Sequence, residues 1–173
     1  MRKIGLVIVC FSLVLFTLGC NSQMEKDEFM PKEMPSDFGF SLSFGVQKHN
    51  VVNTFEGTVV KDLIVDGTAS TPLVLTDEEM QEIFDMMRDI HIAEEKDFIP
   101  KPQFGSVCMK EPYEVDEWEI VINGETIRHF ISGTYCDPTE DTKEMLELRR
   151  FVWEIVKSKE EFKILPEANG AYE

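Results

Sequence analysis

The chain has 173 residues and a mass of 19.9 kDa, enough for one ordinary domain with a real hydrophobic core and too little for two independent ones. With 43% hydrophobic and 29% charged residues its composition is globular, which excludes general disorder, a collagen-like fibre and a multispanning membrane protein. Its 17 Lys and Arg face 33 Asp and Glu, a formal charge of -16 that repels phosphate backbones and argues against nucleic acid as a partner.

Arg2 and Lys3 open the chain, and Ile4 to Leu18 follow as IGLVIVCFSLVLFTL without a charge. A helix needs about 20 apolar residues to cross a bilayer, so this shorter run has the length of a signal peptide. It ends in Thr17-Leu18-Gly19-Cys20, with the polar Asn21-Ser22-Gln23 behind it. That end resembles the lipobox of bacterial lipoproteins, in which a small residue, here Gly19, precedes a cysteine that becomes the lipidated first residue of the mature protein. The family favours Leu three residues before the cysteine; this chain has Thr17 there and Leu18 next. The resemblance implies cleavage before Cys20 by the lipoprotein signal peptidase and a diacylglycerol thioether on the Cys20 sulfur. It further implies a fatty acyl group such as palmitate on the new amine, and a place on the extracytoplasmic face of the cell membrane. Each buried methylene contributes about 0.8 kcal/mol, so two or three long chains hold a domain on a bilayer almost permanently. The chain as a whole is similar to small lipoproteins of Gram-positive bacteria, a similarity that carries no activity with it.

Loss of residues 1–19 removes two bases and no acid, leaving 15 basic against 33 acidic residues, or -18. Residues 20–37 are expected to form the lipidated N-terminus and a flexible tether, because Pro31 and Pro35 stand among Lys, Glu, Asp, Ser and Gln. A flexible-chain estimate gives this tether a root-mean-square reach of about 20 to 25 Å. Residues 38–173 are expected to fold as a single α+β domain.

Phe38, Phe40, Leu42, Phe44 and Val46 alternate with Gly and Ser, which predicts a strand with one buried face. The stretch from Thr54 to Val65 predicts a second strand with a bulge at Gly57, and Thr71 to Leu75 a third, short one after the Asp66-Gly67 turn. Thr76 with Glu79 forms a capping box, and Met80, Ile83, Phe84, Met87 and Ile90 recur at helical spacing to about His91. Pro100, Pro102 and Pro112 exclude a long regular element between Ala93 and Pro112. Asn123-Gly124 between alternating apolar runs predicts a hairpin from Trp118 to Ile131, with Ile120 facing Ile127, Trp118 facing His129 and Glu119 facing Arg128. Asp137 as cap, Pro138 at the first helical position and Glu140 open a second helix with Leu148, Phe151, Val152 and Ile155 on its core stripe. Glu161 to Leu165 is expected to be a last strand or an extended cover. These elements add up to an α+β fold, a mainly antiparallel sheet of about five strands with two amphipathic helices packed on one face.

Cys10 is lost with the signal and Cys20 is the lipid site, which leaves Cys108 and Cys136. An even pair in an exported domain admits a disulfide, two separate thiols or metal ligation. A bridge between residues 28 positions apart would stabilise by about 3 to 4 kcal/mol in the loop-closure model. Cys108, His129 and Cys136 have no zinc-ligand spacing, and the methionines Met24, Met30 and Met34 are too irregular for a soft-metal site, so no cofactor or metal is predicted. The acids at residues 77–79 and 140–141 occupy first helical turns, where the helix dipole accounts for them. No nucleophile elbow, phosphate loop or calcium loop occurs, so no catalytic residue is predicted.

A lipid site, a spacer and an acidic domain without a catalytic signature point to a membrane-tethered, non-enzymatic binding module of the cell envelope. The charge favours a cationic protein or peptide as its partner. The alternatives are an envelope hydrolase or remodelling enzyme whose site is assembled from scattered residues, and a purely structural spacer.

Overall fold

The computed structural model describes residues 30–102 and 104–172. The segment expected to be a signal peptide and Cys20, the expected lipidation residue, lie outside the described residues. Strands β1 (Gly39–Phe44), β2 (Asn50–Asn53), β3 (Thr58–Ile64) and β4 (Gly67–Pro72) precede helix α1 (Asp77–Asp89). Strands β5 (Val115–Ile122) and β6 (Glu125–Ser132) follow a long connection, and helices α2 (Glu140–Ser158) and α3 (Glu160–Lys163) close the order. The fold is α+β: one open antiparallel sheet of 6 strands in the order β4-β3-β2-β1-β5-β6, with α1 and α2 packed against each other.

Alternation sets the two faces of this sheet. Phe40, Leu42 and Phe44 from β1 join Val52, Val59, Trp118, Ile120 and Ile122 in the core, together with Ile83, Phe84 and Met87 of α1 and Met145, Leu148, Val152 and Val156 of α2. The opposite face carries Ser41, Ser43, Glu117, Glu119 and Arg128, none of them buried. The hairpin has the register the sequence predicts, with Ile120 opposite Ile127, Trp118 opposite His129 and Glu119 opposite Arg128. Asn123 at φ 52° and Gly124 at φ 78° form its two-residue turn. Arg128 Nε donates to Glu119 Oε2 at 2.9 Å across the pair.

Several elements differ from the sequence prediction. The stretch from Thr54 to Val65 is not one strand, because Asn53 Oδ1 accepts the N–H groups of Phe55 and Glu56 at 3.0 and 3.2 Å and folds residues 54–57 into a turn between β2 and β3. The bulge falls at Asp62/Ile64 instead of Gly57. Helix α1 has the predicted capping box, Thr76 Oγ1 accepting from Glu79 N–H and Glu79 Oε2 from Thr76 N–H. Helix α2 is capped by Thr139, not Asp137: Thr139 Oγ1 accepts from the Thr142 N–H at 3.1 Å, and Pro138 precedes the cap. The segment after α2 is a helical turn instead of a strand, and it drops Phe162 onto Trp153 in an edge-to-face contact at 4.9 Å.

Residues 30–37 lie against the domain. Met30 is 5% exposed within the core, Met34 packs on that core, and the Lys32 carbonyl accepts from Arg88 Nη1 at 2.9 Å. The Asp37 carboxylate takes the N–H groups of Asn123 and Gly124 at the tip of the hairpin. Apolar thioethers spaced by four residues can satisfy a groove despite the polar company, which is why composition alone placed them in the tether.

Candidate functional site

Several polar side chains gather near the base of the β5–β6 hairpin, away from its turn. Cys108 and Cys136 are bridged, with their alpha carbons 5.4 Å apart. The Cys136 N–H donates to the Cys108 carbonyl at 3.1 Å, and Met109 pairs with Tyr135, so the disulfide ties the strand that leads into β5 to the one that leaves β6. Beside it, Lys96 extends a side chain only 7% exposed and donates to the Ile90 carbonyl at 2.5 Å, to Asp141 Oδ1 at 3.2 Å and to Glu144 Oε2 at 3.4 Å. The Asp97 N–H donates to Asp141 Oδ2 at 2.7 Å, and the Thr139 hydroxyl donates to the Asp97 carbonyl at 2.7 Å. The connection before β5 is thereby fastened to the first turn of α2. Burial pushes the Asp141 carboxyl upward, but the Asp97 N–H and the Lys96 ammonium outweigh it and hold the group below its ordinary value.

His129 sits on the core face of β6 and its Nε2 donates to the Ile92 carbonyl at 2.6 Å. Because a carbonyl can only accept, this nitrogen carries the proton and Nδ1 is the acceptor of the neutral ring. Burial lowers the pKa of His129, only partly opposed by the Ile92 carbonyl, and Phe98 closes on the ring edge-to-face at 5.7 Å. His129 is therefore a neutral strut of the sheet. Over this cluster opens a cleft of about 560 Å³ between Asp97, Lys101, Ser106, Cys108 and Asp137. Ile99, Pro100, Val107 and Pro138 also line it, so polar and apolar surface share its walls about equally. Among the described residues, no serine, threonine or cysteine side chain is hydrogen-bonded to a histidine, and no group of three His, Cys, Asp or Glu is arranged to hold a metal.

Two further clusters were not apparent from spacing. Asp116 stands on β5 in phase with Trp118 and Ile120, so alternation directs its carboxylate into the core, where it is 2% exposed. Its Oδ1 accepts from Arg149 Nη1 of α2 at 2.8 Å, and the same guanidinium reaches Glu114 at 2.6 Å. Asp116 Oδ2 and the indole nitrogen of Trp118 are buried with no hydrogen-bond partner among the described residues. Burial dominates over the guanidinium and pushes the Asp116 carboxyl up to about 6. At the far side of the sheet, the Tyr172 hydroxyl donates to Asp62 Oδ2 at 2.6 Å and lies 3.1 Å from His49 Nδ1. Asp62 Oδ1 accepts the Ile64 N–H at 2.8 Å and so supports Ile64 at φ 64°, a costly conformation for a β-branched residue. The bond to Asp62 pushes the Tyr172 phenol up to about 12.

No protein-family model matches this chain, and no curated protein does. The candidate residues are thus placed by geometry alone. Cys108 and Cys136 are brought together, and His129 is a satisfied sheet residue. Met30 belongs to the core, Met34 packs against it, and Cys20 and Met24 lie outside the described residues. Among the described residues no helix is long and apolar enough to cross a membrane. A folded domain closed by a disulfide has the chemistry of an oxidising, extracytoplasmic compartment.

Proposed function

We propose that this protein is a lipid-anchored, non-enzymatic binding module on the extracytoplasmic face of the cell membrane, held there through Cys20, and that it takes a cationic protein or peptide. The disulfide Cys108–Cys136 carries the reading, because thiols in a reducing cytosol stay apart, whereas an exported chain with a lipobox-like start meets an oxidising compartment. The cationic partner is supported by charge. Glu78, Glu82, Asp85 and Asp89 recur along one outward stripe of α1, against which Arg88 is the only base of that helix. Such a field speeds encounter with a basic partner and weakens as salt screens it.

The anchor is tested by metabolic labelling with a palmitate analogue and by fractionation of wild type and Cys20→Ser. Label in the membrane fraction for wild type alone supports the reading; an unlabelled parent, or a variant that stays in the membrane unchanged, overturns it. The partner is tested by pull-down from envelope extract at low and high salt. Basic proteins recovered at low salt and released at high salt support it, and no salt-sensitive recovery overturns it.

A further inference from the structure

The long connection before β5 holds a basic stretch in an otherwise acidic chain. From Phe98 to Lys110 the sequence reads FIPKPQFGSVCMK, with two lysines and no acid, in a chain that holds 33 acids among 173 residues. Its apolar side chains point outward: Ile99 and Met109 are each 65% exposed and Phe104 is 105% exposed. Phe104 at φ 53° and Gly105 at φ 81° turn the chain at the tip. Both roots are fixed, one by Phe98 packed against His129 and the other by the Cys108–Cys136 disulfide. Exposed Phe, Ile and Met flanked by lysines on a loop with anchored ends is the composition of a segment that sits in a bilayer interface, the aromatic ring at headgroup depth and the ammonium groups on lipid phosphates.

We propose that residues 99–102 and 104–110 form a second membrane contact, which places Phe104 in the interface of an anionic bilayer and orients the domain with the opposite sheet edge, β4, away from it. The proposal rests on the reading that Cys20 is the point of attachment. Cys20 and the buried Met30 are ten positions apart, a stretch that spans at most about 35 Å at full extension. The domain is therefore never farther from the surface than about its own diameter, and a loop that protrudes from it meets lipid at high effective concentration. Charge selects the face. The acidic stripe of α1 is repelled by anionic headgroups, whereas Lys101 and Lys110 are attracted to them. The acids bordering the loop are Asp97, whose carboxylate accepts the Ile99 N–H at 3.1 Å, Glu111 just after it, and Asp137 across the cleft. They lie at the roots, not at the tip, so insertion of Phe104 leaves them in water.

The test uses the mature chain from Cys20, coupled through the Cys20 thiol to a maleimide phospholipid in vesicles of phosphatidylcholine with about 30% phosphatidylglycerol. The oxidised Cys108 and Cys136 do not react. Phe104→Trp and, at the opposite edge of the sheet, Val74→Trp (Val74 is 78% exposed) each add an indole to the native Trp118 and Trp153. With brominated phosphatidylcholine in the vesicles, the emission added by Phe104→Trp is expected to be quenched at least about twofold more than that added by Val74→Trp, and to shift to the blue. Equal quenching at both sites overturns the proposal, as does unquenched emission from Phe104→Trp. A blue shift that appears without vesicles, with a doubling of mass in solution, overturns it in favour of contact between two copies. Because the lipid is attached chemically, absence of native palmitate on Cys20 refutes the anchor alone, and absence of quenching refutes the loop contact alone.

Discussion

Titration of Asp116 is the point at which a buried charge makes a measurable demand on the fold. The carboxyl rises from its ordinary 3.8 to about 6 because burial outweighs the attraction of Arg149. Between those values the folded state holds a proton that the unfolded chain has released, so this group's contribution to stability is full in acid and is lost as pH rises. The difference, at about 1.4 kcal/mol per pH step, amounts to about 3 kcal/mol between roughly pH 4 and pH 7.5. The absolute stability curve also contains two carboxylates that move the opposite way. Asp141 and Glu79, held below their ordinary values, stabilise above the unfolded pKa and lose that contribution as pH falls. The informative quantity is therefore the difference between wild type and Asp116→Asn, in which the local shape is kept and the proton is removed from the balance. Urea unfolding at a series of pH values should show wild type losing about 3 kcal/mol relative to the variant across that range. Parallel curves would refute the reasoning and show that Arg149 offsets burial, leaving Asp116 to titrate as in the unfolded chain.

Other expectations are simpler. Reduction of the disulfide, or Cys108→Ala with Cys136→Ala, should cost about 3 to 4 kcal/mol and lower the thermal midpoint by about 10 °C, read by calorimetry with and without reductant; an unchanged midpoint contradicts the loop-closure estimate. Met30→Ala should lose about 2 kcal/mol or more in urea unfolding, whereas truncation of residues 20–29 should leave stability unchanged, which separates core from tether. Thr76→Ala removes the cap of α1 and should cost about 1 kcal/mol by the same assay. In alkaline titration followed by phenolate absorbance, Tyr172→Phe should delete a late step near pH 12, and loss of an early step instead would show that Asp62 does not hold the phenol proton.

Local chemistry determined a large part of this molecule without help from tertiary structure. The Asn123-Gly124 turn with its apolar flanks specified a hairpin and its register, because a two-residue turn leaves one pairing that keeps Trp118, Ile120 and Ile127 on a common face. The Thr76 and Glu79 capping box did the same for α1, since both of its hydrogen bonds lie within four residues. Other features depended on partners distant in the chain. Whether Thr139 or Asp137 capped α2 was decided by the Asp97 carbonyl, 42 residues away, which accepts the Thr139 hydroxyl. Whether Cys108 met Cys136 was decided by how the strands enter and leave the hairpin, and whether Met30 was tether or core by its packing into the buried cluster that includes Ile83, Phe84 and Met87 of α1. The Asp116–Arg149 pair shows the division most clearly. The sequence reads Asp116, between Glu114 and Glu117, as solvated surface; pairing of β5 in the sheet turned its carboxylate inward and the packing of α2 over that strand supplied the guanidinium, because a period of two carries no record of which face is covered or of what lies across from it.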